Sequence, residues 1–505
     1  MKTVPLLSLI ILLPWLGALV LALLPRLKDT TSRWLTLAFS LSTLALGLMA
    51  YARFEPYLGF QFSEQHAWIP SLNVTWHLGL DGMSLLLVLL TGIIGPMALI
   101  ASWREARDVR LFSLLFLLLQ GAALGVFLAL DFFPWFVFWE LSLVPAFFLI
   151  KLWGGPGASR AAYQFVIYTM AGSVFMLAGF AALYVATGTL DFVSLAALRA
   201  DGTLATLLGG NWGTVVFAGI LLGLAVKVPL FPFHTWLPAA YAEAPTGGSM
   251  FLTGVMSKMG VYGFLRILWP LFPAQLHAWS APLLWLALGG VVLGAFAALR
   301  QTDLKRMIAY SSVNHLSYCL LALFAVAASR GVTTSPDATA AAFSGTLLQV
   351  FNHGLSAAAL FACIGVLETR NGGRRGLNDF GGVRTSMPVF AGLCGIALFS
   401  SLGLPGLNGF VGEFLIFRGV FGLVPWAAAV ATLGLLATAL FLLTFWQRVF
   451  HGPQRGTVAT FTDVTGLELV TLLPGVILMF VLGIHPQLLA GLINPLITSW
   501  AASMP

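Results

Sequence analysis

The chain has 505 residues, of which 59% are hydrophobic and only 9% are charged, and its mean hydropathy is +0.94. Soluble domains carry charge on about a quarter of their residues, so this composition excludes a soluble enzyme or a soluble binding module. The net charge of +7 does not indicate nucleic-acid binding, because the basic residues stand in short segments between apolar runs. We therefore predict a polytopic membrane protein.

The cysteine pattern argues against a metal or redox centre in this chain. Cys319, Cys363 and Cys394 lie inside apolar runs and form no CxxC pair. Iron–sulfur clusters use about four thiolates, and structural zinc needs a similar ligand cluster. We therefore predict no cofactor-binding residue and no metal site.

Met1 and Lys2 precede a long apolar run, which we interpret as the first membrane helix and not as a signal peptide.

Apolar runs of about 20 residues, the length that crosses a bilayer core of ~30 Å, recur along the whole chain. We place them at 4–25, 33–52, 82–102, 111–130, 132–152, 162–187, 212–242, 249–271, 280–299, 304–326, 338–367, 387–422, 425–446 and 467–492. The predicted fold class is therefore all-α and polytopic transmembrane, with about 14 helices.

Two of these runs, 212–242 and 387–422, are too long for one straight crossing. The first is interrupted by VPLFP and the second by GLPGLNG. Proline removes a backbone donor and breaks a helix, and broken backbone survives at membrane depth only where protein or a water-filled cavity surrounds it. Interrupted spans in corresponding places of two halves indicate a transporter site.

The spacing of the runs predicts an internal repeat. Spans four to eight match spans nine to thirteen at a nearly constant offset, and an odd number of helices per unit makes the second unit inverted. We predict N-terminal helices 1–3 in residues 1–110 and a first repeat in 111–271 with broken helix 7. A second repeat follows in 280–450 with broken helix 12, and C-terminal helix 14 occupies 451–505.

The distribution of basic residues predicts the orientation. Most of them fall in one set of loops, and few fall in the other set, among them Lys2, Arg53, Arg199 and Arg330. By the positive-inside rule the richer set is cytoplasmic. Both termini would then face the non-cytoplasmic side.

Six ionisable residues stand out at membrane depth within the predicted spans: Glu140, Lys227, Lys258, His315, His353 and Glu413. Ionisable groups at membrane depth are costly and mark ion or proton pathways. Desolvation disfavours the charged form of a lysine, a neighbouring carboxylate favours it again, and histidine exchanges protons near neutral pH. We expect Glu140 to modulate Lys227. Lys258 and the two histidines would form a connecting path, which ends at Glu413 as the exchange group.

Structural interpretations compete with this relay. A lone intramembrane histidine often only joins two helices, and Glu140 or Lys258 could form a static ion pair. Charges near span ends reach the interface at little cost. We therefore interpret six residues as structural or interfacial, namely Asp81, Asp131, Asp303, Lys305, Arg306 and His451, and we interpret Arg266 as interfacial. The Arg-rich segment 370–384 is predicted to be a solvated cytoplasmic loop that contacts a neighbour.

Several motifs resemble the antiporter-like membrane subunits of respiratory complex I and of photosynthetic NDH-1, in particular the group called chain M or chain 4. The matching passages include LGLDGMSLLLVLLTG, FFPWFVFWELSLVPAFFLIKLWGG, VKVPLFPFHTWLPAAYAEAPTGGS, QTDLKRMIAYSSVNHLSY, FNHGLSAAALF and GLPGLNGFVGEFLIF, over about residues 78–420. The resemblance implies fourteen helices in two inverted five-helix repeats, each with a discontinuous helix.

The resemblance also implies roles for single residues. Glu140 matches the family's helix-five glutamate, Lys227 its broken-helix lysine and Lys258 its helix-eight lysine. His315 and His353 match its central histidines. Glu413 matches the acidic residue that chain M carries where sister subunits tend to have lysine. One departure is that Ala239, Ala240 and Tyr241 replace the family's Asp-Ala-His, which leaves Glu243 as the nearby acid.

The function that the resemblance implies is that of a proton-translocating membrane-arm subunit of an NDH-1/complex I-type oxidoreductase. Electron transfer to plastoquinone or ubiquinone would take place in other subunits, which would hold NAD(P)H or ferredoxin, iron–sulfur clusters and quinone. The partners would be the other membrane-arm subunits, including neighbouring antiporter-like subunits, and lipid, with no nucleic acid. The chain would lie in a bacterial inner membrane or a cyanobacterial thylakoid membrane.

Two other functions stay open at this stage. One is a subunit of a multi-subunit cation/proton antiporter, which uses no redox energy. The other is a subunit of a variant cyanobacterial NDH-1 complex that serves CO2 uptake. The Glu413 pattern and the WELSLVP and LWGG passages favour the first function. Lysines and histidines within the spans suit protons better than sodium, which prefers clustered oxygen ligands.

Overall fold

The computed structural model describes residues 5–331 and 335–502, so Met1, Lys2 and the predicted start of the first helix lie outside the described part. Within it the chain is mostly helical, and eleven helices are long and apolar enough to cross a membrane. The helices of the first half are α1 (Leu6–Leu23), α2 (Asp29–Ala52), α3 (Gly82–Ala101), α4 (Val109–Leu128), α5 (Phe132–Leu141), α6 (Leu143–Trp153), α7 (Ala158–Thr187), α8 (Phe192–Ala200), α9 (Thr203–Leu207), α10 (Trp212–Lys227), α11 (Trp236–Glu243), α12 (Thr246–Phe251), α13 (Ser257–Gly263) and α14 (Trp269–Leu271).

The remaining helices make up the second half. They are α15 (Pro273–Ala278), α16 (Ser280–Leu299), α17 (Leu304–Ser329), α18 (Pro336–Arg370), α19 (Val383–Ser386), α20 (Pro388–Ser401), α21 (Asn408–Leu423), α22 (Pro425–Phe450), α23 (Gly466–Ile484) and α24 (Gln487–Ala502). The predicted run 467–492 is divided between α23 and α24 at Pro486, which has no backbone N–H to continue a helix.

A β-hairpin corrects the prediction of an all-α fold. Strands β1 (Gln61–Ile69) and β2 (Val74–Leu80) pair antiparallel between α2 and α3. The Glu64 carboxylate accepts hydrogen bonds from the backbone N–H groups of Leu7 and Ser8, so the hairpin caps the start of α1. Nine- and seven-residue strands are too short to stand out beside apolar runs of helical length, which is why the sequence analysis missed them.

Both predicted interruptions are present as breaks in the helical backbone. α10 ends at Lys227 and α11 begins at Trp236, with Pro229 and Pro232 between them. The Trp236 indole N–H donates to the Val226 carbonyl at 2.9 Å, so the break does not leave this carbonyl unpaired. α20 ends at Ser401 and α21 begins at Asn408.

The longest buried helices lie at the centre of the molecule. In α17 and α18, 94% of the most apolar stretch is buried inside the protein, compared with 33% in α2. Polar groups on these two helices therefore face other protein groups. α17 and α18 carry His315 and His353.

Asp463, in the segment before α23, caps α20 from a distance in sequence. Its carboxylate accepts hydrogen bonds from the backbone N–H groups of Val389, Phe390 and Val464 at 2.9, 3.0 and 2.7 Å. Burial alone would raise the pKa of Asp463, but these donors outweigh it and hold the pKa below its usual range.

We expect Asp463→Ala to lower the free energy of unfolding by about 1 kcal/mol at neutral pH, because two helical N–H groups lose their cap. The lowered pKa means that the carboxylate's contribution persists at neutral pH and falls only as pH drops below the usual range of an aspartate. Thermal unfolding in mild detergent, with Glu55→Ala as a control at an exposed carboxylate, measures the loss. Equal midpoints for the two variants would contradict the capping role.

Candidate functional site

Lys227 is the last residue of α10 and lies at the first helix break. Its side chain is buried, with 2% of its surface exposed. Nζ donates to Ser142 Oγ at 3.5 Å and lies 4.8 Å from the centre of the Trp139 ring. A hydroxyl and an aromatic face are weak partners for a buried ammonium, so the charged form of Lys227 depends on charged groups that do not touch it.

Glu140 is the charged group of α5 that acts on Lys227. The two side chains interact electrostatically, but no direct ion pair joins them. Glu140 is only partly buried, and its Oε1 has no hydrogen-bond partner among the described residues. Ser142, which separates α5 from α6, lies between the two groups in sequence and contacts Lys227 directly.

Lys258 lies in α13 between two π-helical turns, Leu252–Met256 and Phe264–Leu268. In the first turn the Ser257 N–H bonds to Leu252 O, five residues back, so it does not occupy Thr253 O. Lys258 Nζ donates to this Thr253 carbonyl at 2.6 Å and to Ser257 Oγ at 3.2 Å. Single π-helical turns frequently occur at functional sites, and here the turn supplies the lysine with a carbonyl.

Lys258 also contacts His353 directly across the two halves of the chain. Its Nζ lies 2.8 Å from His353 Nδ1. A Cβ atom on Gly354 would lie 2.8 Å from Gly254 O, and one on Gly254 would lie 3.3 Å from Gly354 O. The absence of side chains at both glycines lets the two backbones approach closely and sets the lysine against the histidine.

His315 and Glu413 extend this contact through the second half. His315 Nδ1 lies 2.9 Å from Glu413 Oε1, and the His315 and His353 rings are 5.1 Å apart. Gln349 Nε2 donates to Glu413 Oε1 at 3.1 Å. Lys258, His353, His315 and Glu413, which we call the central line, are all buried.

The second helix break holds the carboxylate of Glu413 in place. Gly403 adopts φ +78°, and a Cβ at this position would lie 2.8 Å from Glu413 Oε2. Asn352 Nδ2 donates to Asn408 O at 2.6 Å, and Asn408 Nδ2 donates to Asn352 Oδ1 at 3.2 Å. The paired amides therefore attach the first residue of α21 to α18.

The structure divides the six predicted site residues into two groups. Lys258, His353, His315 and Glu413 form the central line, and Glu140 with Lys227 form a separate pair. The groups are linked through packing, because a Cβ on Gly260 in α13 would overlap Val228, the neighbour of Lys227. No hydrogen bond joins Lys227 to Lys258. Nε2 of both histidines has no hydrogen-bond partner among the described residues.

Arg266 is buried, which corrects our interpretation of it as interfacial. Only 8% of its surface is exposed. Its Nη2 donates to Asp81 Oδ2 at 2.7 Å and to Ser84 Oγ at 3.1 Å, and Nε donates to the Tyr262 hydroxyl at 3.0 Å. Arg266 lies inside the predicted run 249–271, although near its end, so its position was a signal that we discounted.

The Arg-rich segment is also more enclosed than predicted. Arg375 forms ion pairs with Glu243, Asp303 and Glu368 at 3.2, 2.7 and 3.0 Å. Burial alone would lower the pKa of Arg375, but these carboxylates, Asp303 foremost, raise it. Lys305 is buried and pairs with Glu368 at 2.7 Å. These five side chains join the end of α11 to α17 and α18.

Sequence reasoning missed the polar partners on α18. Gln349, Asn352 and His353 stand three and four residues apart, so they share one face of the helix. A polar stripe on one face of an apolar helix was therefore visible in the sequence.

Within residues 5–331 and 335–502, no group of three or more His, Cys, Asp or Glu side chains could hold a metal ion.

Comparisons with known proteins show the family to which the chain belongs. The family model described as NADH:quinone oxidoreductase/Mrp antiporter, TM, matches residues 129–440. The chain is 36% identical over 501 residues to NADH-quinone oxidoreductase subunit M of Rhodobacter capsulatus, across 97% of this chain and 95% of that protein. It is 36% identical over 492 residues to F(420)H(2) dehydrogenase subunit M of Methanosarcina mazei, across 96% and 95%.

A solved structure matches over nearly the full length. The match is to a chain in respiratory complex I from Thermus thermophilus with bound NADH, with a TM-score of 0.86 and 30% identity, and it covers 98% of this chain and 99% of that chain. The resemblance noted in the motifs is therefore confirmed. The chain belongs to the NADH:quinone oxidoreductase/Mrp antiporter family of membrane proteins, and it groups there with the subunit M members.

Proposed function

We propose that the chain is the proton-translocating subunit M of a complex I/NDH-1-type quinone oxidoreductase. It carries protons across the membrane while electron transfer proceeds in other subunits, which hold the electron donor, the iron–sulfur clusters and the quinone. The observation that carries this proposal is the central line, four buried titratable side chains with contacts of 2.8 and 2.9 Å at its two ends. Such chains of ionisable groups at membrane depth are typical of proton relays.

We further propose fourteen spans and two inverted repeats, at 111–271 and 280–450. The eleven long helices supply eleven spans. α10 with α11, α12 to α14, and α20 with α21 would supply the other three as interrupted helices. Residues 1–110 and 451–505 would flank the repeats. Both termini would face the non-cytoplasmic side of a bacterial inner membrane or a thylakoid membrane.

Glu140 and Lys227, the pair in the first half, control when a proton is released. When Glu140 is ionised and near Lys227, it favours the ammonium form of the lysine. When a neighbouring subunit draws the Glu140 charge away, Ser142 and Trp139 remain as the contacts of Lys227 and support its charge poorly. Lys227 then releases its proton towards the second half.

The central line receives and passes on the proton. Lys258 Nζ donates to His353 Nδ1, and the protonated ring releases a proton from Nε2 on its far side. His315 takes up that proton at Nε2 and gives the proton on Nδ1 to Glu413 Oε1. Gln349 keeps its own hydrogen bond to Glu413, which holds the carboxylate towards the histidine.

A cation/proton antiporter subunit is the second candidate, since the family description names both groups. Two observations support the oxidoreductase. The match to subunit M of R. capsulatus runs almost end to end, and so does the match to the complex I chain.

Purification in mild detergent distinguishes the two candidate functions. Co-purifying iron–sulfur and quinone-site subunits support the proposal, and a set of cation-antiporter proteins would overturn it.

Removal of the central lysine should uncouple proton movement from electron transfer. In the assembled complex reconstituted into vesicles, we expect Lys258→Met to reduce proton uptake by about a hundredfold or more, the lower end of what a positioned proton-transfer group contributes. The control is Lys151→Met, because Lys151 lies in the last turn of α6 and bonds to the Tyr163 hydroxyl instead of a buried acid or histidine. Full pumping by an assembled Lys258→Met complex would contradict the relay.

Two glycines in the second break test the position of Glu413. Gly403→Ala and Gly406→Ala should each cost about 1–2 kcal/mol of stability, because both residues have left-handed backbone angles. Only a Cβ at 403 meets Glu413, whereas one at 406 meets nothing within 4 Å. We therefore expect slower proton transfer in Gly403→Ala than in Gly406→Ala. Equal rates at equal assembly would show that the break does not position the carboxylate.

The transported ion should be the proton. The central line offers two imidazoles, one ammonium and one carboxylate, and sodium prefers a cluster of oxygen ligands. In sealed vesicles prepared at the same starting pH, the pH gradient should form at the same rate with sodium or potassium as the only alkali cation. A gradient that requires sodium would contradict this assignment.

A further inference from the structure

A cavity of about 830 Å³ lies among α8–α9, α14–α15 and the end of α17, away from the central line. Its wall is largely apolar and includes Leu204, Leu208, Leu271 and Phe272. A smaller cavity of about 140 Å³ adjoins it and shares Arg199, Arg330 and Pro273. The volume of the larger cavity lies within the range of sites that bind small molecules.

Two arginines face the same space without a carboxylate. Arg199 lies in the last turn of α8 and Arg330 follows α17, and both are partly buried. Neither forms an ion pair within residues 5–331 and 335–502, and no Asp or Glu lines either cavity. Burial and the charge of Arg199 both lower the pKa of Arg330 from its usual range, so the two guanidinium groups repel each other. An anion between them would relieve this repulsion.

The exposed tryptophans nearby and the proposed spans put the cavity at the level of the membrane interface. Trp212 begins α10 and is 65% exposed, and Trp279 directly precedes α16 and is 38% exposed. Exposed tryptophans at helix ends collect at the interface between lipid and water. In the proposed orientation this is the non-cytoplasmic side, where the positive-inside rule leaves few basic residues. Two of those few therefore meet in one cavity.

We propose that this cavity binds an anionic phospholipid, with the headgroup phosphate between Arg199 and Arg330. Arginine binds phosphate in a bidentate fashion, and Gln275 and His277 add polar groups to the same wall. The acyl chain packs along Leu204, Leu208 and Phe272. This apolar wall favours a lipid over inorganic phosphate or an acidic protein segment, neither of which would cover it. The site belongs to this chain and takes no part in the proton relay.

Photo-crosslinking in the intact complex tests the site. The probe is a phosphatidylglycerol with a diazirine on one acyl chain, and mass spectrometry maps the labelled peptides. We expect labelling in residues 203–213 and 271–279, and at least about a tenfold loss in Arg199→Gln/Arg330→Gln, because both charged hydrogen-bond donors are removed. Arg53→Gln is the matched control, since Arg53 is an exposed arginine on the same predicted side. The Arg53→Gln variant should be labelled to the same extent as the unaltered protein.

Competition in the unaltered protein identifies the ligand without any variant. Unlabelled phosphatidylglycerol should compete, whereas phosphatidylcholine and inorganic phosphate at the same concentration should not. Equal labelling of the double variant and the control would overturn the proposal. So would competition by inorganic phosphate, or protection of these peptides by a partner subunit. Labelling does not depend on proton pumping, so its failure leaves the proposed function standing.

Discussion

The 2.8 Å contact between Lys258 Nζ and His353 Nδ1 is the interaction on which the rest of the structure depends. A buried ammonium without a partner is strongly destabilising, so the membrane interior accepts Lys258 only with the groups around it. Those groups come from both halves of the chain: the π-helical turn leaves Thr253 O open to Lys258 Nζ and the Ser257 hydroxyl, and α18 brings the imidazole. Gly254 and Gly354 make the approach possible. The same contact therefore satisfies a buried charge and joins the two proposed repeats.

The two helix breaks place Lys227 and Glu413 in the site. Each break also has an energetic cost, which nearby polar side chains offset. Each break frees backbone groups that lipid cannot satisfy. The Trp236 indole donates to the Val226 carbonyl at the first break, and the amides of Asn352 and Asn408 bond to each other at the second. With these groups paired, the breaks can present Lys227 and Glu413 to the protein interior. Broken backbone and buried charge thus occur together because each needs the same polar surroundings.

Much of this site could be predicted from the sequence, and the rest depends on contacts between distant segments. Lys227 and Lys258 stand out because charge is rare in apolar runs, and the breaks stand out because of their prolines and glycines. The contact between His315 and Glu413 joins residues 98 positions apart (413 minus 315), which periodicity cannot predict. Arg266 shows the opposite failure: its place within a predicted span was visible, but its partner Asp81 lies 185 positions away, directly before α3. The hairpin was hidden by the stronger helical pattern.

A double-mutant cycle on proton pumping tests the central claim most directly, since it asks whether Lys258 and Glu413 act as one relay. Lys258→Met, Glu413→Gln and the double variant would be compared in the same assembled complex, as proton uptake per quinone reduced. Groups that act as a unit show strongly non-additive losses. The account predicts that the double variant loses no more than the more impaired single variant. Losses that multiply in the double variant would show two independent groups and contradict the relay.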